Sequence, residues 1–285
     1  MKVRIGPKFA ILTALVLLLE VIPREAAAKV QQLCVDPSDA SCSSTIQDAV
    51  NEAKGSAVVT VVAGTFTENV TINYAKAKAL TLTIAGAGVG STIIDGGNDG
   101  HVFYVGPKTT LTLSGLTIQD GNTGENGVGG GLYSLSAAIT IENCLITGNN
   151  ADIGGGLYLN GGSLNLVGST VSNNTAYTPY SNITLVESYE LGGGMYFRGN
   201  KLTITNSTFT GNTANTGGGM MLVSGTTTIH GSTISDNSAN PIVPPGGGGV
   251  FIGAEGGGIF VGKSSLTMLN STISGNAAVP VPAYL

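Results

Sequence analysis

Gly129-Gly130-Gly131-Leu132-Tyr133 decides how this chain folds, because the phrase returns four more times. The later copies open at Gly154, Gly192, Gly217 and Gly256, each a glycine triplet followed by an apolar residue. Seventeen positions beyond each start stands Ile146, Val171, Phe209, Ile234 or Ile273. Twenty positions beyond it stands Asn149, Asn174, Asn212, Asn237 or Asn276. The starts lie 25, 38, 25 and 39 residues apart, so the unit is 25 residues and two copies carry 13 or 14 more. A fixed internal period of this size marks a repeat architecture.

Inside the unit the apolar period is two: Ile139 and Ile141, Leu164 and Leu166, Leu202 and Ile204, Leu266 and Met268. That is strand spacing, with alternate side chains facing inward. Gly, Asn, Ser and Thr between the strands suit tight corners, including those that need a positive φ. A short unit without a helix cannot bury its inward face alone, but stacked coils can. Coils ~4.8 Å apart place equivalent residues above one another as ladders. The pattern predicts an all-β fold over 58–277, a single-stranded right-handed parallel β-helix. Its hand follows the bias of parallel strand connections.

The glycine triplet with its apolar residue, followed by an apolar-x-x-Asn corner, resembles the repeats of polymorphic outer-membrane proteins. It also resembles related bacterial right-handed β-helix proteins of the pectin-lyase-like superfamily. Phe209-Thr210-Gly211-Asn212 fits the Phe-x-x-Asn half of that repeat; the other copies carry Ile or Val in place of Phe. The usual Gly-Gly-Ala is Gly-Gly-Gly here. The resemblance spans roughly 58–277 and implies the fold, with a bacterial cell-surface or outer-membrane setting.

At the N-terminus, Lys2, Arg4 and Lys8 precede an apolar run from Phe9 to Leu19, and Ala26-Ala27-Ala28 offers small residues for cleavage. Residues 1–28 read as a signal peptide, and the run is short for a membrane span. Export places Cys34 and Cys42 in an oxidising compartment, and a bridge between them is the expectation. Ser44-Thr45-Ile46-Gln47 has the form of a capping box, and Ile46, Ala49, Val50 and Ala53 make an apolar stripe. A short helix in a cap over 29–57 would close the first coil. Pro280 and Pro282 end the regularity, leaving 278–285 as a tail.

The chain holds 12 basic and 17 acidic residues, for a net charge of −5. Removing residues 1–28 takes away four bases and two acids, leaving 8 and 15, a net charge of −7. That balance argues against a nucleic-acid partner. With 44 glycines but ordered repeats and 42% hydrophobic residues, the chain is neither collagenous nor disordered.

Candidate chemistry is sparse. The insert over 175–191 carries Tyr177, Tyr180, Glu187, Tyr189 and Glu190, and a second insert over 238–255 leaves the coil at the equivalent place. Insertions in a solenoid commonly fall on its binding face, and tyrosine offers contact area at low entropic cost. The two are expected to flank one shallow groove. Tyr133, Tyr158, Tyr196, Met221 and Phe260 share one repeat position, read as an outward row of rings stacked on one another. His101 and His230 have no metal-ligand companion at useful spacing. Cys144 stands where other repeats have Ser169, Ser207, Ser232 and Ser271, which reads as a packed corner. Asp95-Gly96-Gly97-Asn98-Asp99-Gly100 is a polar turn or a single copy of a calcium-binding glycine-aspartate repeat. No other cofactor or metal is implied. If the chain were a polysaccharide lyase or hydrolase, Arg198, with Lys201 close by, would be its basic catalyst. The expected function is instead a non-catalytic, adhesin-like or envelope-associated module that is secreted or held at the cell surface. Its partner would be a glycan or another envelope component, and it would not span the membrane.

Overall fold

Alternation along each strand becomes stacking between strands. The computed structural model describes residues 29–73, 79–177, 191–241 and 254–280. Among them the strands form parallel sheets of 13, 8 and 5 strands. Leu82, Leu111, Ile139, Leu164, Leu202, Thr227 and Leu266 stand in register on successive coils, and all but the last are buried. Ile118, Ile146, Val171, Phe209 and Ile234 form a second inward stack from another sheet, each with no exposed surface. The apolar core runs along the axis of the solenoid.

Each repeat takes the same path. In the second repeat, Leu157–Asn160 forms a first face and Ser163–Val167 a second. Thr170–Ser172 lies in the 8-stranded sheet and Thr175–Ala176 in the 5-stranded one. In later coils the first two faces are one bent strand, such as Met195–Thr205. Its register against Met220–His230 shifts on both sides of Arg198, which is where the strand turns. Two faces that look separate in the sequence thereby fuse into the 13-stranded sheet.

The glycine triplets make room for the asparagines. Their first residues adopt a positive φ of 61–69°. A Cβ on the third glycine, Gly156 for example, would stand 2.6 Å from the Gly194 carbonyl oxygen and 3.0 Å from the Asn174 amide. The asparagines form a buried hydrogen-bonded column. Asn212 N–H and Nδ2 both donate to Asn237 Oδ1, at 3.0 and 2.9 Å, and Nδ2 also donates to the Val171 carbonyl. Asn149, Asn174 and Asn237 repeat this arrangement with the next asparagine along, ending at Asn276. The opposite corner carries a serine column. The N–H groups of Cys144, Ser169, Ser207 and Ser232 each donate to the next serine hydroxyl, at 3.1–3.2 Å.

Left-handed corner residues show a period of two coils. Asn143, Gly168, Asn206, Gly231 and Asn270 alternate at one corner; Gly148, Asn173, Gly211, Asp236 and Gly275 alternate at the next. A Cβ on Gly231 would meet Asn206 Oδ1 at 2.5 Å, so the asparagine of one coil lies over the glycine of its neighbour.

The N-terminal end is closed by the helix Ile46–Glu52, whose Ile46 and Ala49 are fully buried. The cap differs from the capping box read in the sequence by one residue. Thr45, rather than Ser44, accepts from Asp48 N–H, and its hydroxyl donates to the Asp48 carboxylate. The side chain of Glu68, from the first coil, accepts from the N–H groups of Ile46 and Gln47. Gln47 then uses its amide as a strand partner, donating to the Thr71 carbonyl and accepting from Thr71 N–H. This blunts the outer edge of Val70–Ile72. Cys34 and Cys42 are disulfide-bonded, with Cα atoms 4.9 Å apart.

Candidate functional site

The second face of the stack carries a shallow groove of about 360 Å³. It crosses four coils. Thr110, Thr140, Asn165 and Thr203 line it, together with Ser163 and Lys201, over a floor of Ala138, Ile139 and Leu164. The lining follows from strand alternation. Thr112, Thr140, Asn165 and Thr203 are register partners whose inward neighbours are the buried leucines and isoleucines of the core. Hydroxyls, one carboxamide and one ammonium therefore point outward at the coil spacing. Lys201 is exposed and follows the bend at Arg198. Arg198 is also exposed but does not line the groove.

The aromatic row lies on the first face. Tyr104, Tyr133 and Tyr158 pack edge to face at 5.3 Å, and Tyr158 stacks on Tyr196 at 4.8 Å with rings 6° from parallel. His101 joins the row 5.1 Å from Tyr133, its Nδ1 3.1 Å from the Gly129 carbonyl. Burial, helped by Tyr104, raises the Tyr133 pKa. The row stacks as the sequence indicates, but it is not uniformly exposed. Tyr196 is 3% and Met221 4% accessible, so the outward position is covered there.

Of the insert residues singled out by sequence, Tyr177 is 53% exposed and leaves the stack after the 5-stranded sheet. Tyr180, Glu187, Tyr189 and Glu190 lie outside the described residues. The groove borders none of the described insert residues and lies on another side of the coil.

The ionisable groups are dispersed. The segment Asp95–Gly100 is a turn: Asp95 Oδ1 accepts from Gly97 N–H, and Oδ2 accepts from the Gln119 amide. The same amide donates to Asp120, so it bridges two carboxylates on neighbouring coils. Among the described residues no three His, Cys, Asp or Glu side chains converge as a metal-ligand group. Asp152 is buried and has a raised pKa; burial is the main cause, opposed by the Asn126 N–H from which it accepts. His230 is exposed, 3.4 Å from the Asn270 amide. Cys144 is buried, donates to the Glu142 carbonyl, and has its pKa pushed up to about 11 by burial. A thiol held this way is a poor nucleophile.

Sequence reading overlooked the groove. The usable signal was the outward half of the strand alternation, as in Thr110-Leu111-Thr112, where threonine flanks each core residue.

A family model described as a right handed beta helix region matches residues 103–283. No curated protein matches the chain. Among solved structures, a variant of the PL6 family alginate lyase AlyGC is similar with a TM-score of 0.45 and 15% identity, over 89% of this chain and 41% of that one. The chain therefore spans less than half the length of that lyase. The carrot pectin methylesterase gives a TM-score of 0.41 at 14% identity, over 90% of this chain and 87% of that one. The Escherichia coli protein ybhc gives 0.41 at 14%, over 86% and 72%.

Proposed function

Since this chain belongs to the right-handed β-helix family, we propose that its stack of coils is the scaffold of a secreted or cell-surface module that binds a glycan or another envelope component without cleaving it. The observation that carries this reading is the composition of the groove. Thr110, Thr140, Ser163, Asn165 and Thr203 offer hydroxyls and a carboxamide, and Lys201 is the ionisable group among them. Hydroxyl and amide groups exchange hydrogen bonds with sugar hydroxyls at a net gain of roughly 0.5–1.5 kcal/mol each. The exposed methyl group of Ala138 is the apolar part of the lining that meets the C–H face of a ring. General acid–base cleavage of a glycosidic bond uses paired carboxylates, and none lines this groove.

The volume falls at the small end of ligand sites, so one groove holds a short segment of a chain. Affinity then grows by repeated engagement along a polymer. In this reading Tyr177, Tyr180, Glu187, Tyr189 and Glu190 of the insert provide a separate contact. The N-terminal signal sequence accounts for export. Among the described residues no helix is long and apolar enough to cross a membrane.

The test is affinity electrophoresis of the purified protein through gels containing neutral or acidic polysaccharides. The reading expects retardation in at least one gel, lost in Asn165→Ala with Lys201→Ala and retained when residues 178–190 are replaced by a short Gly-Ser linker. Retardation abolished only by the linker replacement would move the site to the insert. Absence of retardation in every gel would remove glycans as the partner.

A further inference from the structure

The 8-stranded sheet presents a different outward surface. Its last five strands run from Leu145–Thr147 through Thr170–Ser172, Thr208–Thr210 and Thr233–Ser235 to Thr272–Ser274. Their register is unbroken from coil to coil. The central residue of each points inward. The flanking residues form two columns on the outer side: Leu145, Thr170, Thr208, Thr233 and Thr272 in one, and Thr147, Ser172, Thr210, Ser235 and Ser274 in the other, with Ser172 buried beneath its neighbours and the rest reaching the surface. Nine of these ten side chains end in a hydroxyl, and none is charged or aromatic. The array begins at this point because Thr117, one coil earlier, is 3% accessible and its hydroxyl accepts from Gly90 N–H.

A second feature singles out this face. The serine column from Cys144 to Ser271 lies along one edge and the asparagine column from Asn149 to Asn276 along the other. Both sets of hydrogen bonds run between coils, so they fix the spacing and register of the strands they bracket. Within the array, Ser172 and Ser235 hydroxyls lie 3.3 and 3.4 Å from those of Thr147 and Thr210 on the preceding coils. Four of the nine hydroxyls are therefore held in pairs before any ligand arrives. For these four the cost of ordering side chains on binding is reduced.

A surface that repeats the same two groups on every coil suits a ligand with the same repeat. The spacing between coils is shown by the stacked rings of Tyr158 and Tyr196, 4.8 Å apart. Along a strand, residues i and i+2 are separated by roughly 6.7 Å. Both distances lie near repeats of the oxygen lattice of hexagonal ice. A crystalline glycan is the other periodic neutral solid, and the experiment below separates the two.

We propose that the face made by Thr170, Thr208/Thr210, Thr233/Ser235 and Thr272/Ser274 is an ice-binding surface. The threonine hydroxyls take lattice positions in an ordered water layer, and the methyl groups sit between them. Each row contributes little alone, and engagement of several rows by one rigid face makes attachment to the crystal persistent.

The experiment is nanolitre osmometry on the purified protein, scoring thermal hysteresis and the shape of a growing ice crystal. Wild type is expected to open a hysteresis gap above that of buffer and to facet the crystal. The double variant Thr208→Lys with Thr233→Lys is expected to fall to the buffer value. Thr228→Lys, on the neighbouring face of the same coil, is expected to keep the full gap. Far-UV circular dichroism and the unfolding midpoint establish that each variant is folded. Absence of hysteresis and faceting in wild type, or a gap that survives the double variant in folded protein, would overturn the proposal. So would sedimentation with microcrystalline cellulose or chitin that the double variant abolishes while ice is unaffected, which would make the face a glycan surface.

Discussion

Replacing Asn212 by alanine cuts the asparagine column at its middle. The side chain has no exposed surface, so water cannot replace what is lost. Its Nδ2 donates to Val171 O and Asn237 Oδ1, both at 2.9 Å. Its Oδ1 accepts from Asn174 N–H at 3.1 Å and Asn174 Nδ2 at 3.0 Å. After truncation, Asn174 Nδ2 keeps the Ile146 carbonyl, and Asn237 Oδ1 keeps the Asn212 N–H. The Asn174 backbone N–H loses its side-chain acceptor. A buried unsatisfied donor costs about 1–3 kcal/mol and each of the three remaining lost bonds about 1 kcal/mol, so the expected loss is roughly 4–6 kcal/mol. That is a large fraction of the stability of an ordinary domain. Urea unfolding followed by circular dichroism measures it, with an unchanged m-value showing that the loss is in stability. Asn276→Ala, at the half-buried end of the column, should cost only about 1–2 kcal/mol because water reaches the freed groups. A loss below about 1 kcal/mol at Asn212, or equal losses at the two positions, would refute the view that the column is a cooperative buried strut.

Other positions give independent tests. Thr227 stands fully buried among core leucines with its hydroxyl unpartnered, so Thr227→Val should raise stability by about 1 kcal/mol in the same urea assay. Cys144, with its pKa near 11, should resist a thiol reagent at pH 8 in the native protein and react once the protein is unfolded; Cys144→Ser, which extends the serine column, should change stability by less than about 1 kcal/mol. Asp152 has a folded pKa above its unfolded value, so its contribution is fully present below the unfolded pKa, ~3.9, and is lost as pH rises through the folded one. Asp152→Asn should therefore help more at pH 7 than at pH 3, as read from unfolding midpoints at both.

Inward-facing residues were legible because burial of one side forces alternation: Ile139 and Ile141, or Leu202 and Ile204, share the inward side of strands whose intervening residues face out. The corner asparagines were legible as a period, but their role needed the structure, since the acceptor of each comes from the next coil. The helix cap was misplaced by one residue for a related reason. Ser44 and Thr45 both suit a cap, and the partners that favour Thr45 are Asp48, three residues on, and the carboxylate of Glu68, far along the chain. The groove was hidden because threonine is also simply a good strand former. Thr110, Thr140 and Thr203 acquire meaning only once parallel register places them side by side. The bend at Arg198, which turns Lys201 toward them, leaves no clear sequence mark beyond Gly199.

The central claim is that this β-helix binds a glycan without cutting it, and a product assay tests that most directly. The purified protein would be incubated with pectic, alginate and neutral polysaccharides, with and without calcium, and assayed for new reducing ends and unsaturated sugars. The account predicts that chains retarded by the protein come back at their original length, with neither product formed. New ends or unsaturated products from any of these glycans, abolished by Arg198→Ala or Lys201→Ala in folded protein, would contradict it.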